Sequence, residues 1–206
     1  MRTSIYVDGF NFYYGALKRT AYKWLNLQQL AQKMLPNNTI TEIKYFTAHV
    51  SSRSHDPDQG TRQQAYIRAL KTIPNLSVIL GRFLTNECMM PLAQVQGKQQ
   101  FVKVIKTEEK GSDVNIAVHL INDAYQGRFD VAVLITNDSD LCEAIKIVRS
   151  QLALTVGLLN PHAKPSHALQ KEASFVKSIR KGVLATSQFP DVMLDSVGTF
   201  TKPKDW

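Results

Sequence analysis

The sequence alternates between strand-like and helix-like runs, and this alternation limits the fold more than any other feature. The apolar run at 3–7 ends at Asp8, and residues 131–136 are the most strand-like run in the chain. Between them, apolar residues recur at helical spacing from Val114 to Ala124. Alternating strands and helices indicate a parallel sheet covered by helices on both faces. We therefore expect an α/β fold with three layers, α/β/α, around a central, mainly parallel sheet.

The same periodicities predict the remaining elements. Further helices are expected at 27–35, from Asp56 onward, at 141–148 and at 168–172, and further strands at 40–50, 76–80 and 154–159. An irregular stretch through Pro91 and Gly97 should follow the third strand, and 99–105 is open to an edge strand or a hairpin arm. Little periodicity remains past Gly182. We expect one domain at 1–182 and a loosely held tail at 183–206.

Composition excludes several classes of protein. With 44% hydrophobic residues in 206, the chain can bury a sizeable core. Two cysteines cannot build a disulfide framework or a zinc cluster, which fits a reducing compartment. No charged-then-apolar leader opens the sequence and no apolar run is long enough to cross a bilayer, so we expect a cytoplasmic protein with no membrane partner. The glycines form neither G-x-G nor a phosphate loop, which argues against dinucleotide and ATP sites.

Charge is distributed unevenly along the chain. The net charge is +8, yet the segment 111–163 holds only three basic residues against six acidic ones. A basic protein with an acidic island is expected where cations hold a polyanion and carboxylates serve another purpose, although ordinary surface variation gives the same pattern. Aromatic residues interleaved with cations between Phe12 and Trp24 suit the bases and phosphates of single-stranded nucleic acid. Burial in the core is the alternative for these rings.

Acidic residues stand at the ends of predicted strands. Asp8 ends the first strand, Asp138 and Asp140 follow the strongest strand, and Asp113 opens the helix before that strand. In parallel α/β sheets, ligands bind beyond the carboxyl ends of the strands. Clustered carboxylates repel one another, so such a set persists mainly where a cation neutralises it, and Mg²⁺ or Mn²⁺ prefers oxygen ligands.

Helix capping is the alternative for these acids taken one at a time. Asp113, Asp138 and Asp140 each precede or open a predicted helix, where a carboxylate is favoured. Asp8 differs, because no amphipathic helix that needs a cap is expected to begin after it. Capping also leaves unexplained why all four converge on one edge of the sheet.

Three sequence blocks occur in a recognisable order. They are YVDGFNFY at 6–13, KGSDV at 110–114 with DAY at 123–125, and LITNDSD at 134–140. Together they resemble the NYN domains of the PIN-like nuclease superfamily, which include the LabA-like proteins, and the likeness spans about residues 3–160. The sequence departs from the family at two places. Asn137 stands where glycine is frequent, and the region of His119 lacks a further acid that is often present.

The resemblance implies a PIN-like, Rossmannoid fold with an acidic metal pocket, a cofactor of Mg²⁺ or Mn²⁺, and RNA, most naturally single-stranded, as the partner. It implies hydrolysis of RNA phosphodiesters by a metal-activated water, the reaction of an endoribonuclease. Asp8, Asp113 and Asp138 would be the catalytic residues and metal ligands, with Asp140 as a further ligand. The residues expected to contact the substrate are Asn11, Tyr13, Ser139, Lys103, Lys106 and Lys110. For the three lysines, a solvated strand face is the alternative.

Two other functions stay open at this point. The departure at His119 leaves room for a non-catalytic, RNA-binding adaptor with the same fold. Some NYN-type proteins are described as hydroxypyridine monooxygenases, but the sequence has no flavin or nicotinamide signature, so this reading ranks third. An exposed strand at 99–105 is free to pair across a two-fold axis, which leaves a homodimer open.

Overall fold

The computed structural model describes residues 1–52, 56–96, 99–204 and 206. The strands are β1 (Arg2–Asp8), β2 (Thr39–Thr47), β3 (Leu76–Leu80), β4 (Arg82–Gln96), β5 (Gln99–Lys110), β6 (Val131–Ile135), β7 (Thr155–Asn160), β8 (Phe175–Ser178), β9 (Val192–Asp195) and β10 (Gly198–Thr201). The helices are α1 (Gly9–Phe12), α2 (Leu27–Met34), α3 (Gln59–Leu70), α4 (Ser112–Tyr125), α5 (Cys142–Leu152), α6 (His167–Glu172) and α7 (Lys181–Ala185). A π-helical turn, Tyr13–Leu17, continues α1.

The central sheet has the strand order β3-β2-β1-β6-β7-β8, and every neighbouring pair in it is parallel. This confirms the expected α/β architecture with a central parallel sheet flanked by helices. The order reverses between β1 and β6, whose register pairs Thr3 with Val131 and Val7 with Ile135. Ligands of such sheets bind at this reversal, beyond the carboxyl ends of the strands.

Two apolar cores lie on opposite faces of the sheet. On one face, Ile116 and Leu120 of α4 and Ile145 of α5 pack against Tyr6 and Leu134. On the other face, the strands meet α2, α3 and the segment around Trp24. Alternate residues of each buried strand therefore face different helical layers.

A buried charge network fastens α4 to the sheet. Lys44 of β2 is 4% exposed and pairs with the fully buried Asp123 of α4, and the Tyr6 hydroxyl donates to the same carboxylate oxygen at 2.8 Å. Arg128 lies 3.5 Å from the second oxygen of Asp123. Since Asp113 stands at the other end of α4, this network also fixes the position of that residue.

The sequence predicts an irregular stretch after β3, and there the structure differs. Strands β4 and β5 form a long antiparallel arm, paired from Arg82–Lys110 to Gln96–Gln99 in a two-stranded sheet of its own. Residues 99–105 are the second strand of this arm, and Gly97 lies outside the described residues. The first strand is mostly exposed and lacks an apolar alternation, so its hydrogen-bond partner alone makes it a strand.

The described residues past Gly182 are folded, whereas the sequence predicts a loosely held tail. Strands β9 and β10 form a hairpin, and Arg68 of α3 binds Asp195 through two bonds of 2.7 Å. The Trp24 indole donates to the carbonyl of Pro190 at 2.8 Å, and Phe189 is buried beside it. These contacts join residues more than 120 positions apart, and a scan for local periodicity cannot find them.

No helix in the described ranges is long and apolar enough to cross a membrane.

Candidate active site

Asp8 lies at the reversal of strand order, at the end of β1. It is 4% exposed, its Oδ1 accepts the Asn11 amide at 3.0 Å, and its Oδ2 accepts the Thr136 hydroxyl at 3.0 Å. The first of these bonds caps α1, so the expectation that no amphipathic helix in need of a cap begins after Asp8 is wrong about the cap. Helix α1 is only one turn long and continues into a π-helical turn, which gives no apolar periodicity for the sequence to show. The carboxylate caps the helix with one oxygen and is held by the neighbouring strand through the other.

Thr136 connects Asp8 to the turn that follows β6. Its Oγ1 accepts the Asp138 amide at 3.1 Å while its hydroxyl donates to Asp8. The side chain of Asp138 in turn accepts the Asp140 amide at 3.0 Å, which caps a short 3₁₀ turn at Ser139–Leu141. A capping role is therefore observed for Asp138, and it leaves the second carboxylate oxygen of this residue available.

Asp113 enters from the first turn of α4. Gly111, whose φ of 102° suits glycine, begins that helix, and Asp113 is half-buried. Glu109, the penultimate residue of β5, accepts the Ser112 hydroxyl at 2.9 Å, so that a further carboxylate stands beside Asp113. The sequence reasoning missed Glu109, because the strand that carries it was not placed next to the acids.

These acids line one cleft of about 600 Å³. Asp8, Asp113, Asp138 and Glu109 lie around it together with Asn11. Its other lining residues are Phe10, Tyr14, Val50, Ser51, Ser52, Gln59, Phe83, Thr85, Thr107 and Ser112. The arm supplies one wall through Phe83, Thr85, Thr107 and Glu109, and Phe83 packs edge-on against Phe10 with 5.5 Å between ring centroids.

Burial and neighbouring carboxylates raise the pKa of two acids in the cleft, Asp8 and Asp113. Burial is the main cause that raises the pKa of Asp8 to about 6, and the charges of Asp113 and Asp138 add to it against the bonds from Asn11 and Thr136. Burial also raises the pKa of Asp113, followed by the charges of Asp138, Glu109 and Asp140. Among the described residues that line the cleft, four side chains are acidic and none is basic.

A polar network that the sequence does not predict lies beside the acids. The Oδ1 atom of Asn11 accepts the backbone amide of Asn137 at 2.9 Å and lies 3.1 Å from Nε2 of His162. With the amide oxygen accepting, the His162 Nε2 carries the hydrogen. Asn137 also binds the loop that follows β7, through the carbonyl of Lys164 at 3.1 Å and the amide of Ser166 at 2.6 Å. The asparagine at 137 thus has a structural role that a glycine would lack.

Several expected substrate contacts lie away from the cleft. Ser139 and Asp140 are exposed and do not line it, although the charge of Asp140 reaches Asp113. Lys103 pairs with Glu87, and Lys106 and Lys110 both pair with Glu108, at 2.5 and 3.2 Å. The three lysines are exposed on β5, where Lys103 faces one side of the strand and Lys106 and Lys110 face the other, and their charges are partly offset. Tyr13 projects to the opposite side of α1 from Asn11, into a neighbouring pocket.

The donor set fits a hydrated divalent cation better than a fully protein-ligated one. Within the described ranges, no three His, Cys, Asp or Glu side chains form a group that could hold a metal ion by themselves. Mg²⁺, however, usually binds through one or two carboxylates and keeps several waters, with substrate phosphates completing its shell. Each oxygen of Asp8 accepts one hydrogen bond and so retains a lone pair for a water or a cation.

Comparisons with known proteins show the family and the fold of the chain. A model of the NYN domain matches residues 2–179. A protein from Pseudomonas putida named 6-hydroxy-3-succinoylpyridine 3-monooxygenase is 31% identical over an alignment that covers 100% of this chain and 75% of the relative. A crystal structure of a Vibrio parahaemolyticus protein of unknown function superposes with a TM-score of 0.57 at 19% identity, covering 87% of this chain and 93% of the other. The last comparison bears on the fold alone.

Proposed function

The chain belongs to the NYN domain family, a nuclease-like family, and on that premise we propose that it is a metal-dependent endoribonuclease. The observation that carries the proposal is the convergence of Asp8, Asp113 and Asp138 on one cleft, where burial first and the neighbouring carboxylates second raise the pKa of Asp8 and Asp113. Mg²⁺ or Mn²⁺ bound among these carboxylates would offset the repulsion. When bound, such an ion supplies an activated water at neutral pH and offsets charge on the phosphate oxygens.

The residues around the acids have roles that suit this reaction. Thr136 holds Asp8 and the Asp138 backbone in one orientation. The Asn11 amide oxygen is fixed by Asn137 and His162, which leaves its Nδ2 without a partner in the described part of the chain and in place to donate to a phosphate oxygen. Preorganised donors of this kind stabilise the charge that develops on phosphoryl oxygens.

Single-stranded RNA is the substrate that the cleft walls favour. The exposed ring of Tyr14 and the half-buried rings of Phe10 and Phe83 line the cleft beside the acids, and aromatic rings stack bases without sequence preference. Lys18 lies 4.6 Å above the Tyr14 ring, so a cation accompanies one of these stacking surfaces. The net charge of +8 attracts the phosphate backbone over longer distances.

The proposal is tested with purified protein and a mixed-sequence, single-stranded RNA, in Mn²⁺ or in EDTA. We expect cleavage in Mn²⁺ only, and a loss of at least about 100-fold in Asp8→Asn and Asp138→Asn. Asp191→Asn, remote from the cleft and largely exposed, is the matched control and should cleave normally. Equal cleavage in all variants would indicate a contaminant and contradict the proposal. RNA binding that persists without any cleavage would favour the adaptor function.

A second candidate is oxygenation of a hydroxypyridine, which the name of the Pseudomonas putida relative favours. Oxygen uptake is measured with 6-hydroxy-3-succinoylpyridine and a reduced nicotinamide as electron donor. Uptake that depends on both compounds, with no RNA cleavage, would replace the ribonuclease proposal with this one.

A further inference from the structure

A second pocket lies on the other side of the helical segment that carries Asn11. It has a volume of about 120 Å³. Pockets for drug-sized ligands measure roughly 300–1,000 Å³, so this one suits a fragment of about one ring. Phe10, Tyr14, Val50 and Gln59 line both this pocket and the acidic cleft, which makes the two compartments neighbours with a shared wall.

Helical geometry divides the residues of this segment between the two compartments. Asp8 and Asn11 face the acidic cleft, whereas Gly9, Tyr13 and Leu17, spaced four apart, face the second pocket. Phe10 and Tyr14 stand at the boundary. A ligand group in the second pocket is therefore held within one helix width of Asp8.

The inner walls of the pocket are aromatic rings set at steep angles to one another. Tyr45 and Tyr66 lie 6.1 Å apart at 86°, and Tyr66 and Trp206 lie 5.6 Å apart at 59°. Tyr45 reaches this position because residue 9 is glycine, since a Cβ there would lie 2.8 Å from the tyrosine ring. Rings at such angles accept a flat apolar face against one wall and a ring edge against another.

Charged and polar groups also line the pocket. The Arg62 guanidinium binds both carboxylate oxygens of Asp56 at 2.6 Å, and this pair lines the pocket with Gln59. The site thus offers flat apolar surfaces together with both donors and acceptors. A saturated or purely hydrocarbon ring would leave the polar groups unmatched.

We propose that this pocket, lined by Tyr13, Tyr45, Tyr66, Trp206 and the Arg62–Asp56 pair, binds a planar heteroaromatic ring next to the acidic cleft. A pyrimidine base of RNA and a free hydroxypyridine share this chemistry, with flat faces and nitrogen or oxygen atoms on the edge. The inference rests on the proposed function only in naming RNA as one source of the ring.

The test is isothermal titration calorimetry in EDTA with uridine, 2-hydroxypyridine and cyclohexanol. We expect at least one of the two aromatic compounds to bind and cyclohexanol not to bind. Stacking on one aromatic side chain is worth about 1–3 kcal/mol, so Tyr13→Leu should raise Kd about 5- to 150-fold, whereas Tyr13→Phe keeps the ring and most of the affinity. Tyr125→Leu, exposed on α4, is the matched control with unchanged Kd.

The outcomes separate the possible sources and the two proposals. Uridine binding alone assigns the ring to RNA, and 2-hydroxypyridine binding alone assigns it to a free heteroaromatic compound; either supports the pocket. No binding by either ring, equal binding of cyclohexanol, or an unchanged Kd in Tyr13→Leu overturns it. If Tyr13→Leu does not fold, the same titration of Trp206→Leu tests the proposal, and an unchanged Kd there overturns it. The titration needs neither metal nor cleavage. A failure of the protein to cleave RNA would therefore contradict the ribonuclease proposal and leave the result for this pocket unchanged.

Discussion

The hydroxyl group of Thr136 donates a hydrogen bond to the buried carboxylate of Asp8, with 3.0 Å between Oγ1 and Oδ2. The same oxygen atom of Thr136 accepts the backbone amide of Asp138. One side chain directly after β6 therefore fixes two of the four acids that line the cleft, and it joins the two central strands at the point where their order reverses.

Asp8 should destabilise the metal-free protein at neutral pH. Its pKa is about 6 in the folded state against about 3.9 in an unfolded chain, so the folded state binds more protons between these values and the free energy of unfolding falls as pH rises through that window. We expect Asp8→Asn to raise the free energy of unfolding by about 1–3 kcal/mol at pH 7.5 and by little at pH 3.5. Urea denaturation in EDTA measures both values.

The control for this variant is Asp191→Asn, whose carboxylate is exposed. Addition of Mn²⁺ should stabilise the wild type and not Asp8→Asn, because only an ion bound to the folded state adds stability. A destabilised Asp8→Asn at pH 7.5 in EDTA would contradict the prediction.

Thr136→Val should raise the pKa of Asp8 further. The hydroxyl of Thr136 favours the charged carboxylate, and valine keeps the shape of the side chain while it removes that bond together with the acceptor of the Asp138 amide. Thr136→Ser retains the hydroxyl and is the matched control. Carbon NMR titration of the aspartate carboxyl groups in EDTA measures the shift, and a pKa of Asp8 that is the same in all three proteins would show that the bond has no effect.

Substitution of Lys44 should lower the free energy of unfolding far more than substitution of a surface lysine. Lys44→Met leaves Asp123 buried without its main counter-charge, and breaking such a pair costs about 3–5 kcal/mol. Lys146→Met, which breaks an exposed pair with Glu143, should cost less than about 1 kcal/mol. Urea denaturation compares the two. The double variant Lys44→Met/Asp123→Leu should recover part of the loss, and a double variant no better than Lys44→Met would argue against an unpaired charge as the cause.

Asn11 and His162 should act as one unit in catalysis. Their side chains are 3.1 Å apart, and His162 helps to fix the amide of Asn11. In a double-mutant cycle on RNA cleavage, Asn11→Ala and His162→Ala should show a coupling of about 0.5–3 kcal/mol. His167→Ala, on α6, is the control and should combine additively with Asn11→Ala. Additive effects of Asn11→Ala and His162→Ala would show that the two residues act independently and would contradict the prediction.

Glu108→Gln should strengthen RNA binding. Glu108 pairs with both Lys106 and Lys110, so its neutralisation leaves two cations on the arm for phosphates. We expect a lower Kd for single-stranded RNA and a steeper dependence on salt, by up to about 0.7 per added phosphate contact. Glu143→Gln on α5 is the control. Fluorescence anisotropy at two salt concentrations measures both quantities, and an unchanged salt dependence would show that these lysines do not meet the RNA.

The central sheet and the meeting of the acids were accessible from the sequence. Buried parallel strands give apolar runs that end in polar turns, and strands that run in parallel bring their carboxyl ends to one edge. That is why the sequence alone predicts that Asp8 and Asp138 lie at the same edge of the sheet. Asp113 followed from the first turn of α4, which Gly111 marks.

The features of the fold and the site that the sequence does not predict depend on contacts between residues far apart in the chain. His162 contacts Asn11 across 151 positions, and Glu109 reaches the cleft only because β5 pairs with β4. The β9–β10 hairpin is held by Arg68 and by packing around Trp24, neither of which leaves a local pattern. Charge type alone also does not reveal the ion pairs of the three lysines of β5, of which only Lys103–Glu87 joins two strands.

The division of residues 8–17 between two compartments makes the length of this segment more important than most of its side chains. A helix turns about 100° per residue, so one inserted residue after Asn11 would rotate Tyr13 and Leu17 out of their pocket and change the wall shared with the acidic cleft. A substitution at Tyr13 affects one compartment, whereas a one-residue insertion or deletion affects both. Among natural variants of this chain, changes of residue type should therefore be tolerated in this segment more often than changes of length.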